Sequence, residues 1–393
     1  MSDITVVHLD HTGTVINTFR PEELQFTLRK GVDGPHDITY ALSRDQAVDD
    51  MVGAYRTDFQ LIDSSSSLGA YTIMAGMHTS APQVTTDEER LQIAGKDWMH
   101  YFERRYWPYD DTNPSAYRIK PGGVAATIND PPTGYAYYID ASSTPRDSMG
   151  IITDILNMVL GQTNSLAITY SLANIGYTPQ NFVVTLIDTE NVLSKIQTLS
   201  QEDNGKFDFW IESDKSLHRA APHRYTTGVE SNSALAEQIF DTSVPASGVV
   251  AVNYENIGPV ATRLIGQGAN QSSTIVSVRE YAPGSAQFRL LEDHVSFEGV
   301  LSNLRVRNLT RRVLLNGLNP VHNVSITVIP DALANFWSRF HPGVAIWLTC
   351  ELEAHLIDAA FEIISIDGSS DDDGNMVAVF NLQQIYTDVS VPL

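Results

Sequence analysis

The chain has 393 residues, more than one hydrophobic core ordinarily serves, so about two to four compact domains are expected. With 47 acidic against 25 basic residues the formal net charge is −22, a field that excludes stable gripping of phosphate backbones over most of the surface. The single cysteine, Cys350, excludes an intrachain disulfide and a multi-thiolate zinc site, and no apolar run approaches the roughly 18 to 20 residues of a bilayer-crossing helix.

The start, Met1-Ser2-Asp3, lacks the basic then apolar profile of a secretory signal, so synthesis and assembly in a cytoplasm-like compartment are expected. From Thr5 to about Ala75 the chain reads as short strands with turn punctuation. Leu24-Gln25-Phe26-Thr27-Leu28 and Ile38-Thr39-Tyr40-Ala41-Leu42 alternate apolar with polar around the loop Gly31-Val32-Asp33-Gly34-Pro35. Phe59 to Ile62, Ala70 to Gly76 and Arg90 to Gly95 continue the pattern. Asp97 then stands where a helix N-cap belongs, with Trp98, Tyr101, Phe102 and Arg105 on one helical face. Residues 1–105 are therefore a first β module, of sandwich or barrel type.

Residues 108–145 carry Lys120-Pro121-Gly122-Gly123 and Asp130-Pro131-Pro132-Thr133-Gly134, which break regular structure and predict a long loop. Asp147 can cap a helix bearing Ile151, Ile152, Ile155, Leu156 and Val159, stopped by Gly161. A strand over Phe182 to Leu186, a helix with Val192, Ile196 and Leu199, and alternation at Phe207 to Ile211 follow, so 106–235 reads as an α+β middle domain. Strands recur at Val249 to Tyr254, Val260 to Ile265 and Thr274 to Val278. A long helix near Val300 to Leu314 comes next, and 236–318 is a connecting region. Four more strands, Val324 to Val328, Val344 to Leu348, Phe361 to Ser365 and Val377 to Leu382, make 319–393 a second β module, with domains that can be discontinuous.

Residues that carry chemistry are sparse. His8 and His11 flank Asp10 but point to opposite faces of an extended segment with no third ligand, so surface histidines are expected rather than a metal site. Gly266-Gln267-Gly268 begins a dinucleotide fingerprint that no third glycine completes, and reads as a turn or bulge. Asp367 to Gly374 lacks the closing glutamate of a calcium loop and reads as a hairpin turn, and Cys350 with His355 lies in strand-like sequence, as a buried structural thiol does. No catalytic, cofactor or metal residues are assigned. The cationic cluster in this acidic chain is Arg305, Arg307, Arg311 and Arg312 on the long helix, a candidate partner contact whose plainer reading is a solvated face.

Three segments in this order resemble the tail hub family of long-tailed bacteriophages. The first runs from Arg90-Leu91-Gln92-Ile93-Ala94-Gly95-Lys96-Asp97-Trp98 to Arg105, a strand, a glycine, an aromatic helix and a basic end. The second spans Val192 to Tyr225, with Asn204-Gly205-Lys206-Phe207-Asp208-Phe209-Trp210-Ile211 and Pro222-His223-Arg224-Tyr225. The third spans Val260 to Leu382 and includes Val278-Arg279-Glu280-Tyr281 and Phe340-His341-Pro342-Gly343-Val344, with Gly343-Val344 where the family usually carries Gly-Asp.

The resemblance implies a β-rich α+β fold in which two tail-tube-like β modules flank the middle domain. It implies a non-enzymatic virion protein of the tail tip, a homotrimer of pseudo-six-fold symmetry that joins the tail tube to the tip and lines or closes the DNA channel. The partners so implied are its own copies, a distal tail or tail tube hexamer, the tape measure protein, and a central fibre or other tip proteins, with DNA only in transit. The alternative reading is a receptor- or carbohydrate-binding tip protein using Tyr135, Tyr137 and Tyr138 or Trp107 and Tyr109 as a sugar platform.

Overall fold

The computed structural model describes residues 4–43, 54–65, 67–80, 83–84, 90–108, 117–120, 122, 124–125, 135–140, 146–173, 179, 181–185, 190–200, 207–220, 239–244, 247–257, 262–271, 274–281, 290–296, 306–307, 310–311, 314, 321–352, 355–370 and 375–384.

The first segment holds β1 (Ile4–Asp10), β2 (Val15–Phe19), β3 (Glu23–Arg29), β4 (Asp37–Ser43), β5 (Thr57–Asp63), β6 (Tyr71–His78), β7 (Gln83–Val84) and β8 (Arg90–Asp97), then helix α1 (Met99–Glu103). Period-two patterning decides their faces: along β3 Leu24, Phe26 and Leu28 are buried while Glu23 and Gln25 stand in solvent. Helix α1 is shorter than the aromatic spacing suggests. Its N-cap is Trp98 rather than Asp97, which stands one residue earlier with its Oδ1 accepting the Met99 N–H at 3.1 Å, and Trp98 and Phe102 are buried.

The middle segment carries β9 (Ile119–Lys120), β10 (Val124–Ala125), β11 (Tyr135–Asp140), α2 (Ser148–Leu160), β12 (Thr169–Tyr170), β13 (Asn181–Thr185), α3 (Val192–Ser200), β14 (Asp208–Ile211) and β15 (Ser216–Ala220). Asp147 caps α2 as its position predicts, accepting from Gly150 N–H at 2.9 Å, and Ile151, Ile152, Ile155, Leu156 and Val159 form its buried face. Asp154 on the same helix is buried yet fully engaged: Tyr137 Oη donates to it at 2.7 Å, Gly122 N–H at 2.8 Å, and Arg146 pairs with both oxygens. That cluster ties described residues of the 108–145 stretch to α2. The segment has its own hydrophobic core, built on Met99, Phe102, Tyr137, Ile155, Leu193, Phe209 and their neighbours.

The remainder holds β16 (Ile239–Asp241), β17 (Val249–Ile257), β18 (Arg263–Gln271), β19 (Thr274–Tyr281), β20 (Glu292–Ser296), β21 (Val321–Val328), β22 (Ala345–Leu352), β23 (His355–Ser370) and β24 (Met376–Gln384), with a short helix Phe336–Arg339 before β22. Strands from both ends of the chain form one 14-stranded sheet, ordered β17-β21-β24-β23-β3-β4-β8-β6-β5-β1-β2, with β16, β22 and β7 attached beside that path. One core cluster accordingly mixes Val6, Leu24, Phe26, Tyr40, Phe59 and Leu61 with Ile326, Trp337, Phe340, Ile346, Phe361 and Phe380.

β23 is the hinge of this arrangement. Its first half, His355 to Glu362, pairs antiparallel with β22, and Ser365 to Ser369 then pair with β3, while β24 follows along the opposite edge. The register shift between Ile363 and Ser365 marks the change of partner. Side chains fasten the junction: Thr27 Oγ1 donates to Asp367 Oδ1 at 2.7 Å, and Asn381 Nδ2 to Asp367 Oδ2 at 2.9 Å. Asp367 thus stays in the sheet, and Asp371 to Gly374 lie outside the described residues.

Two expectations are corrected here: the stretch 108–145, expected as a long loop, contains β9, β10 and β11 among its described residues, and the surface histidine expected at position 8 is not one. His8 is not a surface histidine but fully buried, on the face of β1 that meets Tyr40 of β4 and His78 of β6, whereas His11 is exposed in the turn that follows. His78 Nδ1 lies 2.8 Å from Thr57 Oγ1 and 3.2 Å from the Thr57 carbonyl, and Tyr40 Oη bridges the two rings, 2.7 Å from His78 Nε2 and 2.6 Å from His8 Nε2. His8 Nδ1 is the ring atom without a partner. Burial pushes the His8 ring down to about 4 and the His78 ring down to about 3, so both are neutral in the folded chain at neutral pH.

Candidate assembly surfaces

An open sheet edge is a row of unpaired backbone donors and acceptors, and natural proteins cover it, charge it or pair it. Among the described residues the main path of the long sheet ends in two such strands, while β16, paired with β22 alone, and β7, paired with β8 alone, are further edges off that path. β2 pairs with β1 alone, and β17 pairs with β21 alone. The two come from opposite halves of the sequence, and each presents an apolar side chain outward: Val15 and Val250 are both 58 % exposed. Val250 is the extra residue of a bulge, because Val249 faces Val328 and Ala251 faces Thr327 with nothing opposite it. Ile329, also exposed, follows directly on β21, so the apolar surface at this end extends beyond one residue. Alternation within a strand gave no sign that these two strands lie at the rim.

The predicted arginine cluster divides. Arg305 and Arg312 lie outside the described residues. Val306, Arg307, Thr310, Arg311 and Leu314 are helical, and their spacing sorts them: Val306, Thr310 and Leu314, four apart, are buried, while Arg307 and Arg311 face outward. The buried face rests on the three-stranded sheet β19-β18-β20, with Leu314 against Leu264 and Val295, and Thr310 so close to Gly266 that no side chain fits there. Gly266 in the unfinished dinucleotide pattern is therefore a packing glycine. Arg307 Nε lies 3.2 Å from Glu280 Oε1, which holds that guanidinium at the surface of the same unit.

The proposed sugar platform does not assemble. Tyr137 and Trp107 are core residues, Tyr137 bonded to Asp154 and Trp107 Nε1 donating to the Tyr117 carbonyl at 3.0 Å. Burial is the physical reason: a register shift between Tyr135 and Tyr137 breaks the alternation of β11, so Tyr137 turns inward while Tyr135 and Tyr138 stay half-buried, rings 5.4 Å apart. Tyr109 lies outside the described residues. Cys350 is a buried thiol on β22, as expected. Among the described residues no group of three or more His, Cys, Asp or Glu side chains is placed to hold a metal ion, and no helix is long and apolar enough to cross a membrane.

Three surfaces anchor the middle segment to the first. Gly31 approaches the Phe209 carbonyl closely, Gln197 Nε2 donates to the Val32 carbonyl at 3.1 Å, and Lys215 reaches Asp58 at 3.3 Å while lying 4.3 Å over the Trp98 ring. Burial raises the Asp58 carboxyl, and the Lys215 ammonium beside it opposes that rise.

No family model matches the sequence, and no curated protein does. Solved structures do match. A 43 kDa tail protein of prophage MuSo2 from Shewanella oneidensis superposes with a TM-score of 0.61 at 10 % identity, covering 98 % of this chain and 98 % of that one. A tail protein from Neisseria meningitidis MC58 gives 0.58 at 10 % identity over 97 % and 96 %, and prophage tail protein gp18 from Listeria monocytogenes EGD-e gives 0.53 at 11 % identity over 97 % and 94 %. The likeness to phage tail proteins read from the sequence is thus borne out over nearly the whole length, at an identity where only the fold is conserved enough to compare. The chain has the β-rich α+β fold of phage tail proteins.

Proposed function

We propose that the chain is a structural, non-enzymatic hub protein of a phage tail tip, working as a homotrimeric ring of pseudo-six-fold symmetry between the tail tube and the tip. The observation that supports this reading is the long sheet whose main path ends in two strands from opposite halves of the sequence. Cyclic association puts one end of each chain against the other end of the next, a heterologous contact that closes after a fixed number of copies. Pairing β2 of one copy with β17 of its neighbour satisfies both rows of backbone groups and covers Val15 and Val250.

In this reading the strands from the two ends of the chain act as two blocks within the one sheet, so that three chains match a six-membered tube subunit for subunit. The distal tail or tail tube hexamer is the neighbour this arrangement suits, with the tape measure protein and a central fibre or other tip proteins along the axis. Part of the −22 charge then faces the channel, where carboxylates repel the duplex and let it slide. The exposed Arg311, with Arg305 and Arg312 near it in sequence, is available to an acidic partner, and Arg307 stands beside it paired with Glu280.

Native mass measurement of the purified full chain tests the ring. A species of three times the chain mass is expected, and a stable monomer in dilute solution contradicts it.

A further inference from the structure

A cleft of about 240 Å³ opens where the β5–β6 connection meets the segment between β21 and β22, and nothing in the assembly reading uses it. One wall is acidic. Asp63 is 3 % exposed, and both hydrogen bonds to its carboxylate, from Ser65 N–H at 2.8 Å and Ser65 Oγ at 2.5 Å, fall on Oδ1. Oδ2 is the oxygen left to the cleft that Asp63 lines. Asp331, exposed at the other side, brings a second carboxylate. The remaining wall is apolar, with Leu333 and the edges of Phe336 and Trp337. Asn335 closes the floor in a left-handed conformation, φ 55°, its Oδ1 accepting from Ser67 N–H and Ser67 Oγ at 3.0 Å each.

A buried carboxylate with a free oxygen at an accessible cleft is costly unless a positive or donating group meets it. An apolar wall beside it favours a ligand that is aliphatic along its length and cationic at its end. The geometry points to a receptor for an arginine side chain presented by a basic partner protein. A guanidinium has five donors in a planar fork and serves separated carboxylates better than the compact, strongly hydrated lysine ammonium. Resting on the ring reading above, the source is a different protein rather than a second copy, because copies meet there through β2 and β17, and neither strand lines the cleft.

The test uses the full chain and N-acetyl-arginine amide, with the neutral isostere N-acetyl-citrulline amide and N-acetyl-lysine amide as comparisons, followed by NMR titration. Binding of the arginine ligand with a Kd of about a millimolar is expected, the citrulline ligand about tenfold weaker or more and the lysine ligand in between. Asp63→Asn keeps the Oδ1 acceptor for Ser65 and removes the charge, so its thermal midpoint stays with the native chain while the arginine ligand weakens by about tenfold. Asp331→Asn weakens it by a smaller factor. No binding of the arginine ligand at ten times that concentration, equal binding of arginine and citrulline ligands, or an Asp63→Asn chain that binds as well as the native one overturns the proposal. Loss of self-association in Asp63→Asn overturns the assignment of the source and makes the occupant a second copy.

Discussion

Lys30 Nζ stands 2.6 Å from Glu362 Oε1, an ion pair joining positions 332 apart in sequence at the fork where β22 leaves β23 and β3 takes its place. Both side chains are nearly buried, 10 % and 12 % exposed. Removing one partner takes away the charge that offsets the burial of the other, whereas replacing both with apolar groups removes the desolvation cost as well. Lys30→Met is expected to cost about 3–5 kcal/mol, and the double change Lys30→Met with Glu362→Leu much less than that. Urea unfolding of the three chains checks it, and a double variant as unstable as the single one contradicts the pairing.

Gly368 lies opposite Phe26 in the β3–β23 ladder, and a Cβ there would overlap the Phe26 ring, which itself packs 5.1 Å from Trp337. Gly368→Ala should destabilise the chain by about 1–3 kcal/mol through overpacking. Introduced into a Phe26→Leu chain the same change should cost less, because the two sites share the space. Additive costs in denaturant titrations would show that the ring is not what excludes a side chain.

Acid should unfold the chain through His8 and His78. Both have folded pKa values below the usual 6.5, so their contribution is complete above about pH 6.5 and is lost as pH falls toward 4 and then 3. Asp97 acts in the opposite sense. Burial pushes its carboxyl up to about 8, so its contribution is present below about pH 4 and is lost as pH rises toward 8. Between about pH 4 and 6.5 two protons favour the unfolded chain and one the folded chain, a net slope of about 1.4 kcal/mol per pH unit. Asp97→Asn should roughly double that slope in unfolding free energies measured across the window. A slope unchanged by Asp97→Asn would show that Asp97 is ionised when folded.

Val15 and Val250 are exposed in the single chain, so lysine at either position should alter folding stability by less than about 0.5 kcal/mol. At a paired edge the same charge opposes strand addition. Val15→Lys and Val250→Lys are each expected to yield folded monomer in sedimentation measurements. Variants that assemble like the native chain would place the contact elsewhere.

Local elements were legible because their signals are local. Asp147 and Gly161 bracket α2 at the positions their chemistry predicts, and the apolar alternation at Leu24, Phe26 and Leu28 gives both β3 and its buried face. The partnership of β3 with β23 was not legible, since alternation says that a strand has an inner face and not which strand lies beside it. For the same reason the rim positions of β2 and β17 were invisible. His8 misled because, weighed only as a metal ligand beside His11, a polar ring reads as a surface group, and only Tyr40 and His78, far along the chain, supply the partners that let it stay inside. Arg307 and Arg311 were legible as an exposed face through their spacing, and Glu280 as a neighbour was not.

Electron cryomicroscopy of the assembled tail tip is the most direct measure of the central claim. A ring of three copies on the tail axis, with β2 of each beside β17 of the next and six sheet-built blocks facing the tube, is the predicted image. A particle in which this polypeptide sits away from the axis, or leaves both strands in solvent, would contradict it.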